Sequence, residues 1–92
     1  MYTEKELFYE ELRKIQEFSV GVMLSKQDLY TDIEEMLDDV TFDVIYKICE
    51  MIDGCKNELI KYTIVNEKNE NIVNENFMLH DWCESYLKCT DK

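Results

Sequence analysis

Apolar residues that recur every three or four positions dominate the first half of the chain, and this periodicity limits the fold most. Thr3 and Glu6 have the residue types and spacing of a helix capping box. An apolar stripe follows them, made up of Phe8, Leu12, Ile15, Phe18 and Val22. The pattern predicts an amphipathic helix over residues 4–18, or over 4–24 if Gly21 does not end it.

Two further helices are predicted behind the first. Ser25 is a favourable N-cap for the second helix, Thr41 is one for the third, and Gly54 stands where a left-handed C-terminal cap is expected. The apolar positions are Leu29, Ile33, Met36, Leu37 and Val40 in the second helix, and Val44 or Ile45, then Ile48, Met51 and Ile52 in the third. The alternative of one helix bent around residues 39–41 stays open.

The periodicity then changes. Residues 59–65 are rich in β-branched and aromatic types and predict a strand, residues 66–71 form a polar turn, and Ile72 begins a short return strand. Asn74 or Asn76 caps a last helix, whose apolar stripe includes Trp82, Cys83, Tyr86 and Leu87. The predicted fold class is α+β, a mainly helical single domain over residues 1–92 with three helices, a short β-hairpin and a C-terminal helix.

Length and composition narrow the class of protein. The chain has 92 residues, 46% of them hydrophobic, which suffices for one core but not for two. No apolar run is long enough for a membrane span, and the N-terminal residues do not resemble a signal peptide. We therefore expect a cytoplasmic protein with reduced thiols. The absence of Ala and Pro, with abundant Asn, Lys and Ile, is typical of an AT-rich genome such as that of a low-GC bacterium or its phage.

The negative charge is concentrated in one segment. The formal net charge is −11, and residues 25–54 carry nine acidic and two basic side chains. On a helix, acids spaced by four and three residues form one row, and like charges at that spacing destabilise the helix. The row consists of Asp28, Asp32, Glu35 and Asp39, with Glu34 and Asp38 beside it and Tyr30 adjacent. We predict that this acidic face, residues 28–39, contacts a partner.

The charge also indicates the kind of partner. A strongly acidic chain repels nucleic acids and anionic membranes, so we expect a basic protein as partner, with no direct nucleic-acid or membrane binding. The sharper hypothesis is a non-enzymatic nucleic-acid mimic that inhibits a DNA- or RNA-binding protein. The alternative is a homodimer that pairs apolar surface around Trp82 and Tyr86, with the acidic face merely solvated.

Metal and catalytic sites have weaker support. Cys49, Cys55, His80 and Cys83 could form a Cys₃His zinc site, but they lack the usual Cys-x₂₋₄-Cys spacing. His80 and Cys83 are three residues apart and could meet as base and nucleophile, although such a pair arises easily on any amphipathic helix. The carboxylates also lack the spacing of a calcium loop. A metal-binding protein therefore remains only a second alternative, and we assign no cofactor, metal ligand or catalytic residue.

Overall fold

The computed structural model describes residues 2–90, and its first element is a long helix, α1, over Glu4–Lys26. Thr3 caps it as predicted: the Thr3 hydroxyl accepts the Glu6 N–H, and the Glu6 carboxylate accepts the Thr3 N–H. α1 passes through Gly21 without a break. The helix therefore extends slightly beyond the longer of the two limits that the periodicity allowed.

One helix, α2, stands where the sequence predicted two. It covers Ile33–Ile52 and follows a 3₁₀ turn at Gln27–Leu29 that links it to α1. Its N-cap is Asp32, whose carboxylate accepts the Glu34 N–H at 2.8 Å. Two separate helices were thus a wrong prediction, and the alternative of one helix through residues 39–41 is the one observed. The two long helices form an αα-hairpin.

The two hydroxyl residues expected as caps serve another purpose. The Ser25 hydroxyl donates to the Val22 carbonyl, and the Thr41 hydroxyl donates to the Leu37 carbonyl, both at 2.7 Å. Each hydroxyl thus bonds back to the preceding turn of its own helix, which is the common use of Ser and Thr inside a helix. Neither residue starts a helix, so both cap predictions were wrong.

After α2 the chain reverses and forms a small antiparallel sheet. Gly54 caps the helix as predicted, with φ +87°, and its N–H donates to the Met51 carbonyl. Strands β1 (Val65–Asn66) and β2 (Asn71–Ile72) pair as a two-stranded hairpin. The β-hairpin is thus confirmed, but most of the strand predicted over 59–65 is irregular.

The C-terminal segment contains less helix than predicted. A 3₁₀ turn at Leu79–Trp82 leads into α3, which covers only Cys83–Tyr86. Asn74 does not cap it; the Asn74 side chain accepts the Ile64 N–H and donates to the Tyr62 carbonyl, closing the base of the β-hairpin. The coarse fold class, a mainly helical α+β chain with a two-stranded sheet and a short C-terminal helix, is confirmed.

The molecule buries little of its apolar material. Its core centres on Ile15, Met51 and Ile60. The accessible surface is 7158 Å², whereas a monomeric protein of this mass exposes about 5,700 Å². The radius of gyration is 15.0 Å, against about 12 Å for a compact domain of this length. Between residues 2 and 90, no helix has the length and apolarity that a membrane crossing requires.

Candidate functional site

The end of the αα-hairpin exposes apolar side chains that the sequence placed in the core. We call residues 24–39 the interhelical tip; it comprises the end of α1, the connection, and the start of α2. Leu29 is 79% exposed, Ile33 71% and Leu37 52%, and Leu24 is exposed as well. The prediction that Leu29, Ile33 and Leu37 face the core was wrong. The residues of α2 that pack against the core are Val44, Ile48 and Ile52.

The predicted acidic residues lie at this tip but not in one helical row. Asp28 belongs to the 3₁₀ turn and Asp32 is the N-cap, so only the acids from Glu34 onward lie on α2. The regular spacing of 28, 32, 35 and 39 therefore does not correspond to one helix face. The single-row geometry was wrong because the chain leaves helical conformation at residues 30–32. The predicted role of these residues in binding stays a prediction.

Two predicted contact residues are engaged within the protein. The Tyr30 hydroxyl donates to Asp39 Oδ2 at 2.5 Å, and the Thr90 N–H donates to Asp39 Oδ1 at 2.7 Å. Partial burial tends to raise the pKa of Asp39, but the hydrogen bonds from Thr90 and Tyr30 outweigh it and hold the pKa below its usual range. Asp39 thereby ties Thr90 to α2.

The acids at the start of α2 also stabilise the helix. Glu34 and Glu35 lie in its first turn, where the positive end of the helix dipole favours carboxylates. Asp32 satisfies an exposed N–H of the same turn. Helix stability therefore explains part of the acidic excess. The feature of the tip that still indicates a binding site is the combination of exposed carboxylates with exposed apolar side chains.

A second polar cluster lies at the opposite end of α2. Asp53 accepts the N–H groups of Leu79 and His80 at 2.9 and 3.0 Å, and its Oδ2 lies 2.7 Å from His80 Nδ1. Burial raises the pKa of Asp53, but these hydrogen bonds outweigh it and lower the pKa overall. The hydrogen bond between the His80 imidazole and the Asp53 carboxylate raises the pKa of His80. No local pattern indicates this pair, because the two residues are 27 positions apart.

His80 and the Cys83 thiol make their polar contacts with different groups. Within the described chain, no group of three or more His, Cys, Asp or Glu side chains is placed to hold a metal ion. The Cys83 thiol donates to the Leu79 carbonyl, while the His80 imidazole contacts Asp53 and Asp81. Burial, with the neighbouring Cys83 thiol, raises the pKa of Cys49 to about 12, so Cys49 stays protonated.

A cleft of about 230 Å³ lies between α1, α2 and the C-terminal segment. Two of its polar lining residues are bonded to each other, because the Ser19 hydroxyl donates to Asp43 at 2.7 Å; Lys47, outside the cleft, also donates to Asp43. The hydrogen bond between Ser19 and Asp43 links α1 to α2. The interhelical tip, which presents exposed apolar side chains beside carboxylates, is the stronger candidate site.

Comparison with protein-family models, with curated proteins and with solved structures found no match for this chain. The site must therefore be interpreted from its own geometry. That geometry is an exposed apolar surface with carboxylates around it, at one end of a helical pair.

Proposed function

We propose that this chain is a small acidic protein-binding module that acts without catalysis and contacts a basic partner through the interhelical tip. One observation carries the proposal: Leu29, Ile33 and Leu37 stand exposed among the carboxylates of residues 28–39. Large apolar side chains grouped on a surface are typical of protein-binding sites. The surrounding carboxylates select a partner of opposite charge.

The overall dimensions support a partner of some kind. The surface exceeds that of a compact monomer of the same mass by about 1,500 Å². A standard protein–protein interface removes about 800 Å² from each partner. The excess is thus large enough to supply a complete interface.

The nucleic-acid mimic is the less supported form of this proposal. Mimicry requires carboxylates at a regular spacing that imitates phosphates, and the helical row that suggested it is interrupted between Asp28 and Glu34. A basic protein with an apolar contact surface fits the tip better, because Ile33 and Leu37 then lose their contact with water.

A homodimer is the second candidate, supported by a different surface. Trp82 and Tyr86 are exposed, and so are Phe77 and Met78 on the segment before them. Sedimentation velocity at tens of micromolar tests this candidate: a dimer that Tyr86→Ser converts to a monomer supports it, and a monomeric wild-type protein contradicts it.

Affinity capture with matched variants tests the main proposal. The tip variant combines Asp28→Asn, Glu34→Gln and Glu35→Gln and leaves Asp39 with its hydrogen bonds intact. The control removes three exposed charges elsewhere through Glu58→Gln, Glu67→Gln and Glu75→Gln. We expect the wild type and the control to retain a protein from the lysate that the tip variant loses. The purified partner should then bind the wild type and the control with similar affinity and the tip variant more weakly. Equal retention by all three would contradict the proposal.

A further inference from the structure

One side of α2 carries an exposed row that contains no charged residue. Ile33, Leu37, Thr41 and Ile45 follow one another at intervals of four, and all four are exposed. We call this row the apolar ridge. At a rise of 1.5 Å per residue it extends for about 18 Å, or three helical turns. Rows at this spacing are the ones that pack into the grooves of a neighbouring helix.

Thr41 does not interrupt the apolar character of this ridge. Its hydroxyl donates to the Leu37 carbonyl at 2.7 Å and lies 3.1 Å from the Asp38 carbonyl. The hydroxyl is therefore satisfied within the helix, and a partner that covers Thr41 removes no unpaired polar group from water. The ridge can be buried without the cost that an unsatisfied hydroxyl would add.

Carboxylates border the ridge on one side. Glu34 and Asp38 follow Ile33 and Leu37 in sequence and lie beside the ridge at a spacing of four residues. The other side of the ridge adjoins Val44, which packs against the core. A partner lying along the ridge thus meets apolar side chains at its centre and carboxylates along one edge.

The charges beside the ridge favour a different protein, rather than a second copy of this chain, as the molecule that covers it. In a two-fold dimer through the ridge the same patch of both copies meets, and that patch supplies Glu34 and Asp38 but no Lys or Arg to pair with them. Each copy also carries a net charge of −11, so the two chains repel one another. A partner with Lys or Arg at the corresponding edge replaces that repulsion with attraction.

We infer that the apolar ridge of α2 is the docking site for an amphipathic, Lys- or Arg-rich helix of another protein. The inference rests on the proposed function and adds the chemistry of the partner. The helix places its apolar face on Ile33, Leu37 and Ile45, and its basic side chains reach Glu34 and Asp38. A segment of about 12–15 residues matches the length of the ridge.

Synthetic peptides provide a direct test. The probe is a helical peptide of about 15 residues built from Leu and Lys in an amphipathic pattern. One control peptide has the same composition in scrambled order, and another carries Glu in place of Lys. Fluorescence anisotropy at physiological ionic strength should show binding of the probe at least tenfold tighter than that of either control. Equal binding of the scrambled peptide would overturn the inference, since it would show attraction by charge alone.

Matched variants locate the contact. Ile33→Ser with Leu37→Ser should raise the Kd of the probe at least tenfold, whereas Leu59→Ser, at another exposed leucine, should leave it unchanged. Glu34→Gln with Asp38→Asn should raise the Kd and reduce its dependence on salt, whereas Glu67→Gln with Glu75→Gln should not. Circular dichroism checks that each variant is folded. A Kd that responds equally to the ridge and control variants would contradict the docking site.

Two further outcomes separate this inference from the proposed function. If the tip-dependent partner is captured but the probe does not bind, the helix chemistry is wrong and the protein-binding function stands. If wild-type protein sediments as a dimer that Ile33→Ser with Leu37→Ser converts to a monomer, a second copy covers the ridge, and the inferred occupant is wrong.

Discussion

The two ends of α2 differ in how far their side chains are buried. At the C-terminal end, Met51 is fully buried and Asp53 binds two N–H groups and the His80 imidazole. At the N-terminal end, Ile33 and Leu37 stand in solvent beside exposed carboxylates. The first end holds the C-terminal segment onto the helices, while the second contributes little to the core.

This difference suggests that one end of α2 stabilises the fold and the other end binds a partner. Buried apolar side chains and satisfied polar groups provide stability, so the end near Asp53 should dominate the free energy of unfolding. Exposed apolar side chains contribute little to folding and become useful only when a partner covers them. Substitutions near Asp53 should therefore lower the free energy of unfolding, whereas substitutions at the N-terminal end of α2 should weaken partner binding.

The largest difference in the free energy of unfolding is expected between substitutions at Met51 and at Leu37. Met51→Ala removes a fully buried side chain and should lower the free energy of unfolding by about 2–5 kcal/mol. Leu37→Ala removes an exposed one and should change it by less than about 0.5 kcal/mol. Urea unfolding followed by circular dichroism measures both. A comparable loss for the two variants would show that the interhelical tip is packed and not free for a partner.

The next contrast concerns carboxylates. Asp53→Asn keeps the size of the side chain but places an amide NH₂ among hydrogen-bond donors, and we expect a loss of about 1–3 kcal/mol. Asp28→Asn, at an exposed position of the tip, should stay within about 0.5 kcal/mol of wild type. Hydrogen exchange should show faster exchange of the Leu79 and His80 amides in Asp53→Asn alone; unchanged rates there would contradict the anchoring role of Asp53.

The two glycines should respond with opposite signs. Gly54 has φ +87°, and a Cβ there would lie 3.2 Å from the Lys61 side chain, so Gly54→Ala should destabilise by about 1–2 kcal/mol. Gly21 lies inside α1 with nothing near the position of a Cβ, so Gly21→Ala should stabilise by about 0.5–1 kcal/mol. Thermal unfolding distinguishes them, and a stabilising Gly54→Ala would contradict the left-handed cap.

The smallest expected effect is the pH dependence of the contact between His80 and Asp53. The hydrogen bond to the Asp53 carboxylate raises the pKa of His80 above 6.5. The contribution of His80 to the free energy of unfolding is therefore complete below about pH 6.5 and declines as the pH rises through the folded-state pKa. The pKa of Asp53 is lowered from 3.8, so its contribution is present above that pH and is lost as the pH falls through the folded-state value.

Comparison with His80→Gln isolates this contribution, since the effect of the remaining charges is common to both proteins. The stability advantage of the wild type over His80→Gln should be larger at pH 6 than at pH 8.5. Urea unfolding at the two pH values measures this difference. An advantage that is constant or grows toward pH 8.5 would mean that His80 does not bind its proton more tightly in the folded state.

Local signals in the sequence predicted the features that depend on neighbouring residues. The capping box at Thr3 and Glu6 and the C-cap at Gly54 are both confirmed. The start of α2 was predicted at Ser25, although Asp32 with Glu35 three residues later also has capping spacing. Ser and Thr are ambiguous, because a hydroxyl that can cap a helix can equally bond to a carbonyl within one.

The candidate site was predicted only in part. The acidic residues of 28–39 were identified from charge, but the exposure of Ile33 and Leu37 was not, because a helical stripe does not reveal which side a neighbour covers. The sequence by itself determined the capping box at Thr3, the left-handed cap at Gly54, the helical period and the acidic charge, which depend on residues within one or two turns. Only the tertiary structure decided which apolar faces pack together and that His80 is hydrogen-bonded to Asp53. These contacts join residues far apart along the chain.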